Sequence, residues 1–280
     1  MCERTKMKNS DKICYGEFVE RFKGGIPLYS ESAFKYMRKA GEIAADTLDF
    51  VEKFIVRGTK TEELDALCAE FINSRGATSA CLGYKGFPKS VCISVNHVVC
   101  HGIPSSRALA DGDIVNIDVT VIFDGWYGDT SKTFCVGKAH PRIEKLVEIS
   151  KEALEVGIKY AAPGNTLSDI GREIQKFVEE NGFSVVRDFC GHGIGRVFHD
   201  LPQVLHFYDK NDKVILEKGM IFTIEPMVNA GKHNVKSLPD GWTVVTKDRS
   251  FSSQFEHTIG ITAIGCEVFT KGSVQKQIQL

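Results

Sequence analysis

The chain has 280 residues, 42% hydrophobic and 25% charged, which is the composition of an ordinary soluble globular protein and excludes collagen-like, disordered and disulfide-scaffold classes. Thirty-five Lys plus Arg against thirty-six Asp plus Glu leave a formal charge of -1, so no bulk electrostatic attraction to nucleic acid or to an anionic membrane is implied. At about 100 to 200 residues per domain, the length fits one large domain or two small ones.

Residues 1–30 are basic at the tip (Arg4, Lys6, Lys8, Lys12) and punctuated by Gly24-Gly25 and Pro27. They read as an appended, loosely ordered segment, with Tyr15, Phe18 and Phe22 as the side chains through which it would dock. No apolar stretch of the kind a secretory signal needs opens the chain, and the longest apolar-rich segment, Met220 to Val228, contains Glu225 and Pro226. Neither export nor membrane insertion is supported. Nine cysteines, an odd number without a C-x-x-C pair, read as buried reduced thiols of a cytoplasmic protein.

From Ser30 or Ser32 as cap, the apolar positions Phe34, Met37, Ala40, Ala44, Ala45 and Leu48 follow a 3.6 period and predict a helix. A second helix starts near Thr61, with the stripe Leu64, Leu67, Cys68, Phe71, Ile72 and a closing Gly76. The apolar run Val91 to Cys100 predicts one strand, after which CHGIP turns at His101. Shifting the sequence by 106 residues aligns Gly58 with Gly164, Leu64 with Ile170, Phe71 with Phe177 and Gly76 with Gly182. The strand around Asp118 then corresponds to the strand around Glu225. Each is followed by an Asp-Gly-Trp turn (124–126 and 240–242) and by a second acidic residue, Asp129 or Glu256. The chain reads as two helix-helix-then-sheet halves, each delivering two carboxylates to a common place.

Asp124-Gly125 between apolar runs is a two-residue hairpin signal. It sets Phe123 opposite Trp126 and Thr120 opposite Asp129, which puts Asp118 and Asp129 on one face with alpha carbons about 7 to 8 Å apart. Asp118 in IVNIDVTVIF and Glu225 in MIFTIEPMV lie in apolar strands, where an unpaired ionised carboxylate costs several kcal/mol. Neither strand core supplies a Lys or Arg, so metal ions are the economical partner. Glu256 in the alternating QFEHTIGIT could be half exposed. His192 stands out among eight histidines because the glycines of CGHGIG leave it the only functional side chain there, whereas His140, His206 and His233 read as structural or surface residues. Four carboxylates with one imidazole suit two divalent ions of Co, Mn, Fe or Zn better than one zinc, or than Mg or Ca. The H-E-x-x-H zincin signature is absent.

The strings KSVCISVNHVVCHGIP, DGDIVNIDVTV, GDTSKTF, CGHGIGRVFH, FTIEPMVNAG and DGWTVVTKDRS with QFEHT very closely resemble the type I methionine aminopeptidases of bacteria, over about residues 32–270. That resemblance implies an α+β pita-bread fold: pseudo-twofold halves with a curved, mainly antiparallel sheet covered by helices. It divides the chain into an N-terminal extension (1–30), one catalytic domain (31–270) and a C-terminal tail (271–280). It implies metal-dependent removal of the initiator methionine, preferring a small second residue, by a hydroxide between two ions. In the family's pattern Asp129 and Glu256 bridge both ions, Asp118 binds one, and His192 with Glu225 binds the other. His199 would meet the carbonyl oxygen, His101 the scissile amide nitrogen, and Glu225 would shuttle the proton.

Cys81, Tyr84, Phe87, Cys92, Phe198 and Trp242 would line the pocket for the methionine side chain, as aromatics and thiols suit a thioether. Phe87 stands where the family often has Tyr, and the loop SSRALADGD is one residue shorter than the longest family version. A monovalent cation, Na or K, would sit near Asn96, Val98 and Ser252. The implied partners are the N-termini of nascent or newly made polypeptides, with transient ribosome association, no specific nucleic-acid sequence and no membrane, and the chain acting as a monomer. The competing readings are an X-Pro dipeptidase or aminopeptidase P, which carries a large domain where this chain has about 30 residues, and a metal-free pita-bread binding protein, which loses ligands that this chain keeps. Glu225 and Glu256 are only 31 positions apart, which leaves no room for the helical insertion of type II enzymes.

Overall fold

A computed structural model describes residues 18–273. Its helices follow the apolar spacing. In α1 (Glu31–Glu52) Phe34, Met37, Ala40, Ala44, Leu48 and Val51 are buried on one side. Ser30 holds the cap position, but its hydroxyl bonds Ser32 Oγ (2.7 Å) and not the helix backbone. The helix α2 spans Thr61–Ser74, α3 Pro141–Tyr160 and α4 Leu167–Glu180. Pro141 occupies the first turn of α3, where no donor is lost. A reciprocal capping box between Thr166 and Asp169 starts α4. The bounds of α2 and α4 are each 106 residues apart, so the internal repeat is structural.

Between the helices lies a nine-stranded sheet in which every described pairing is antiparallel. Strands β6 (Ile114–Phe123) and β7 (Trp126–Cys135) form its long hairpin, with Phe123 opposite Trp126 and Thr120 opposite Asp129. Asp124 (φ 50°) and Gly125 (φ 74°) make the turn that joins them, the left-handed pair that matches strand twist. The second half supplies β9 (Gly191–Gly193), β11 (Ile221–Ile224) and β16 (Glu256–Ile261), and the halves meet where β16 pairs with β7, Glu256 opposite Ser131. Two threonines stitch this seam: Thr130 Oγ1 donates to the Glu256 carbonyl and Thr258 Oγ1 to the Asp129 carbonyl, each at 2.7 Å. Each half has its own core, one under α1 and α2, the other under α3 and α4.

Three expectations are corrected. The segment 1–30 is not a loose tail over its second part: β1 (Val19–Lys23) and β2 (Ile26–Tyr29) form a hairpin whose Ile26, Leu28 and Tyr29 are buried. Its polar composition hid an apolar IPLY run. Phe18 does dock, edge-on against Tyr36 and Trp126, while Tyr15 lies outside the described residues. The run Val91 to Cys100 is two strands, β4 (Cys92–Val95) and β5 (Val98–Cys100), because Asn96 takes a left-handed φ of 57°, which Asn tolerates. The former joins the main sheet and the latter a small one with β14 (Val244–Thr246). Asp240-Gly241-Trp242 turns between β13 (Val235–Ser237) and β14 and does not link the strands bearing Glu225 and Glu256. Those pair directly, β11 against β16, through a long connection.

Candidate metal centre and substrate pocket

Asp129, His192 and Glu256 present ligand atoms within 4.8 Å of one another. Glu225 closes the group, with its Oε1 3.8 Å from His192 Nε2, while Asp129 Oδ2 stands 3.6 Å from the same nitrogen. Asp118 lies outside that tight group. It sits two residues before Thr120 on the same face of β6, close enough to Asp129 and Glu225 for their charges to disfavour its own. Local hydrogen bonds aim each group. Thr120 Oγ1 donates to Asp129 Oδ1 (2.8 Å), and Glu225 accepts from Thr223 Oγ1 (2.8 Å) and Gln254 Nε2 (3.2 Å). His192 Nδ1 donates to the Gly193 carbonyl at 3.0 Å, which leaves Nε2 as the free ligand atom facing the carboxylates. The glycines around His192 admit close backbone neighbours: a Cβ on Gly193 would lie 2.0 Å from the Leu201 carbonyl oxygen.

The electrostatics call for a cation. Burial, reinforced by the neighbouring acids, pushes Asp118 and Glu256 well above the usual carboxylate range. Burial likewise raises Glu225 to about 7. Burial opposes a charge on His192, yet Asp129 and Glu225 outweigh it and raise its pKa. Among the described residues no Lys or Arg forms an ion pair with any of the four acids. Carboxylates this close repel one another when ionised, and a bound cation lets all of them ionise at neutral pH. Oxygen donors with a single imidazole fit divalent transition ions.

Beside this cluster, Cys81, Phe87, Cys92 and Phe198 form one buried apolar group with Tyr84 and Trp242 packed on it. All six residues expected in the pocket are therefore together. Cys92 stands opposite Asp118 across the β4–β6 pairing, and Cys81 Sγ lies 3.7 Å from Thr120 Oγ1, which itself holds Asp129. Two wall thiols thus border strand β6 where Asp118 and Thr120 lie. His199 lies tilted against His192 (4.2 Å) and Phe198 (4.1 Å) and stacks on Tyr84 at 5.2 Å. His101, held at a left-handed φ of 55°, meets Trp242 and Phe189 edge-on. Partial burial, then the positive potential of His192, lowers the pKa of His199, and burial lowers that of His101. Both rings are therefore neutral N–H donors at neutral pH.

Residues 35–263 match the family model described as metallopeptidase family M24. The chain belongs to that family. Within it, the methionine aminopeptidase of Escherichia coli (strain K12) is 57% identical over 247 residues, covering 88% of this chain and 94% of that protein. The crystal structure of methionine aminopeptidase from Rickettsia prowazekii superposes with a TM-score of 0.86 at 51% identity, over 88% of this chain and 100% of that one. Prolidase from Pyrococcus furiosus, at 22% identity and a TM-score of 0.72, covers 95% of this chain and 68% of its own, a likeness of fold alone. The fold is thus the pita-bread architecture, and the chain groups with the methionine aminopeptidases of the M24 family.

Some residues at the site escaped the sequence reading. Tyr127, Ile103 and Ile122 also pack on the pocket group, and Tyr127 stacks on Phe198 at 5.5 Å. His206, read as structural, is buried in the second half, and its Nε2 accepts the Glu225 backbone N–H at 3.0 Å. Burial holds its pKa down near 3, which keeps that nitrogen free to accept. Thr223 and Gln254 carry no sequence signal beyond their spacing from Glu225 and Glu256. At the expected monovalent-cation position, Ser252 N–H donates to the Asn96 carbonyl at 2.8 Å, Val98 pairs with Val245, and the buried Ser252 Oγ has no hydrogen-bond partner. No helix among the described residues is long and apolar enough to cross a membrane.

Proposed function

We propose that Asp118, Asp129, His192, Glu225 and Glu256 hold two divalent cations of the Co, Mn, Fe or Zn class, Asp129 and Glu256 serving both, and that the chain removes the N-terminal methionine of polypeptides. When bound, such ions acidify a water from a pKa of 15.7 toward about 7 and polarise a carbonyl. The remaining steps belong to the chain. The thiol and aromatic wall of Cys81, Tyr84, Phe87, Cys92, Phe198 and Trp242 takes the unbranched thioether side chain and excludes water around it. Neutral His199 donates its N–H to the scissile carbonyl oxygen and to the oxyanion that develops there. His101 hydrogen-bonds the scissile amide nitrogen. Each such group contributes about 10²- to 10⁴-fold. Glu225, aimed by Thr223 and Gln254, carries a proton from the attacking water to the leaving amine.

The observation that carries this reading is the adjacency of a buried acid–imidazole cluster without a Lys or Arg partner to a thiol-containing apolar group that borders strand β6. On this reading both halves contribute ligands to one catalytic domain; of the expected tail 271–280, residues 274–280 lie outside the described residues. Preference for a small second residue, a Na or K ion at Asn96, Val98 and Ser252, and work in the cytoplasm on nascent chains at the ribosome belong to the same reading. Incubation with metal and the peptides Met-Gly-Met, Met-Lys-Met and Ala-Pro-Ala tests it. Free methionine from Met-Gly-Met alone is expected. Release from Met-Lys-Met but not Met-Gly-Met, cleavage of Ala-Pro-Ala alone, or metal-independent activity would overturn it.

A further inference from the structure

Tyr29 closes strand β2, upstream of the residues that match the family, and yet it reaches three segments that lead into the site. Its backbone N–H donates to the Gly219 carbonyl (2.8 Å), directly before β11 and Glu225. Its ring leans on Trp126, which opens β7 ahead of Asp129, at 5.8 Å. Its hydroxyl accepts the backbone N–H of Arg196 (3.4 Å), and the phenol fills the space beside Gly195, where a Cβ would lie 2.4 Å from the Tyr29 oxygen. The segment 194–199 runs from β9, which carries His192, to Phe198 and His199.

That segment is poor in regular pairing. Gly195 donates to the Val197 carbonyl and accepts from Tyr127, and the Arg196 guanidinium lies over Trp126 at 5.6 Å. Tyr29, only 3% exposed, packs its phenol directly against Gly195 of this segment. Strand β2 also straddles the two cores, with Ile26 and Leu28 in the second and Tyr29 in the first. A buried phenol wedged under such a loop helps keep its end residue within the fraction of an ångström that a transition-state hydrogen bond needs.

We infer that Tyr29 is a positioning residue for the 194–199 segment, setting His199 against the substrate carbonyl. The inference rests on the role of His199 given above. Tyr29→Leu keeps bulk but loses ring and hydroxyl; Tyr29→Phe keeps the ring wedge, loses only the acceptor, and serves as the folded control. In Tyr29→Leu, hydrogen–deuterium exchange over 194–199 should accelerate about tenfold, while exchange in β16 stays unchanged. With Met-Gly-Met, kcat should fall about tenfold with KM within about twofold, and metal content by elemental analysis should hold. Tyr29→Phe should stay within about threefold of the parent in kcat. Unchanged exchange over 194–199 overturns the inference, as does a loss of metal content or KM that parallels the loss of kcat, which marks a merely structural role. Accelerated exchange with no change in kcat, in a protein whose His199→Ala variant is also unimpaired, refutes the role of His199 and with it the inference. If His199→Ala is impaired and Tyr29→Leu is not, the inference alone fails.

Discussion

The two halves deliver their ligands by different means. In the first, Asp118 and Asp129 sit on one hairpin, and a single two-residue turn decides which side chains oppose one another. In the second, His192, Glu225 and Glu256 come from or adjoin three strands spread over more than sixty residues, and their pairing is non-local. Non-local strands carry loop-closure entropy and no turn to set their register. That half compensates with side-chain scaffolding. Thr223 accepts from the His192 backbone and donates to Glu225, Gln254 holds the other Glu225 oxygen, and His206 holds its backbone. Turn chemistry can place a ligand pair cheaply only when the pair is local; otherwise a buried polar network must do it.

The comparison can be broken most directly at the two seam carboxylates. Asp129→Asn and Glu256→Gln should each abolish turnover and lower metal occupancy by elemental analysis. If Glu256→Gln kept its full metal content, the shared role of these acids would be refuted. His199→Ala and His101→Ala should keep both metals and lower kcat on Met-Gly-Met by about 10² to 10³-fold; loss of metal from either would move that histidine into the ligand set.

A smaller effect concerns stability without metal. Glu256 has a folded pKa raised by burial well above its ordinary value. Its contribution is therefore fully present below about pH 4.5, where both states are protonated, and is lost as pH rises toward the folded value. In a chelator, Glu256→Gln should melt higher than the parent at pH 8, by about 2 to 4 °C per kcal/mol relieved, and the difference should vanish near pH 4.5. Differential scanning fluorimetry across pH reads this, and a gap that widens on acidification would contradict the sign.

The mildest test contrasts two glycines. Gly193→Ala puts a methyl 2.0 Å from the Leu201 carbonyl, so a loss of about 1 to 3 kcal/mol in urea unfolding is expected. Gly125→Ala meets only the flexible end of Arg196, at 3.3 Å, and should cost about 1 kcal/mol for its left-handed backbone. A larger cost at Gly125 would reverse the view that the local hairpin is the robust half.

Legibility in the sequence tracked this division. The register that opposes Thr120 to Asp129 followed from Asp124-Gly125 and the period of two, and the helices α1, α2 and α4 followed from apolar spacing and the 106-residue repeat. Glu256 did not stand out, because an alternating strand looks half solvated until β7 covers it. The second Asp-Gly-Trp turn misled because an identical tripeptide closes a different hairpin. His206 looked structural because nothing in LHF tells that its ring faces the amide of Glu225. Tyr29 fell in a segment whose composition was polar and whose packing is not.

By itself, the sequence determined the residue inventory: which acids and which imidazole lie in apolar strands, that two similar halves repeat, and that no lysine or arginine accompanies the acids. These are matters of composition and short-range periodicity, which backbone geometry converts directly into faces and turns. Only the tertiary structure decided which strand pairing makes the seam the acids share, that thiols and rings gather beside strand β6, and that the N-terminal hairpin packs Tyr29 against Gly195 and Arg196. Those facts depend on pairings between strands far apart in the chain, and their energies arise from burial and contacts that no local pattern encodes.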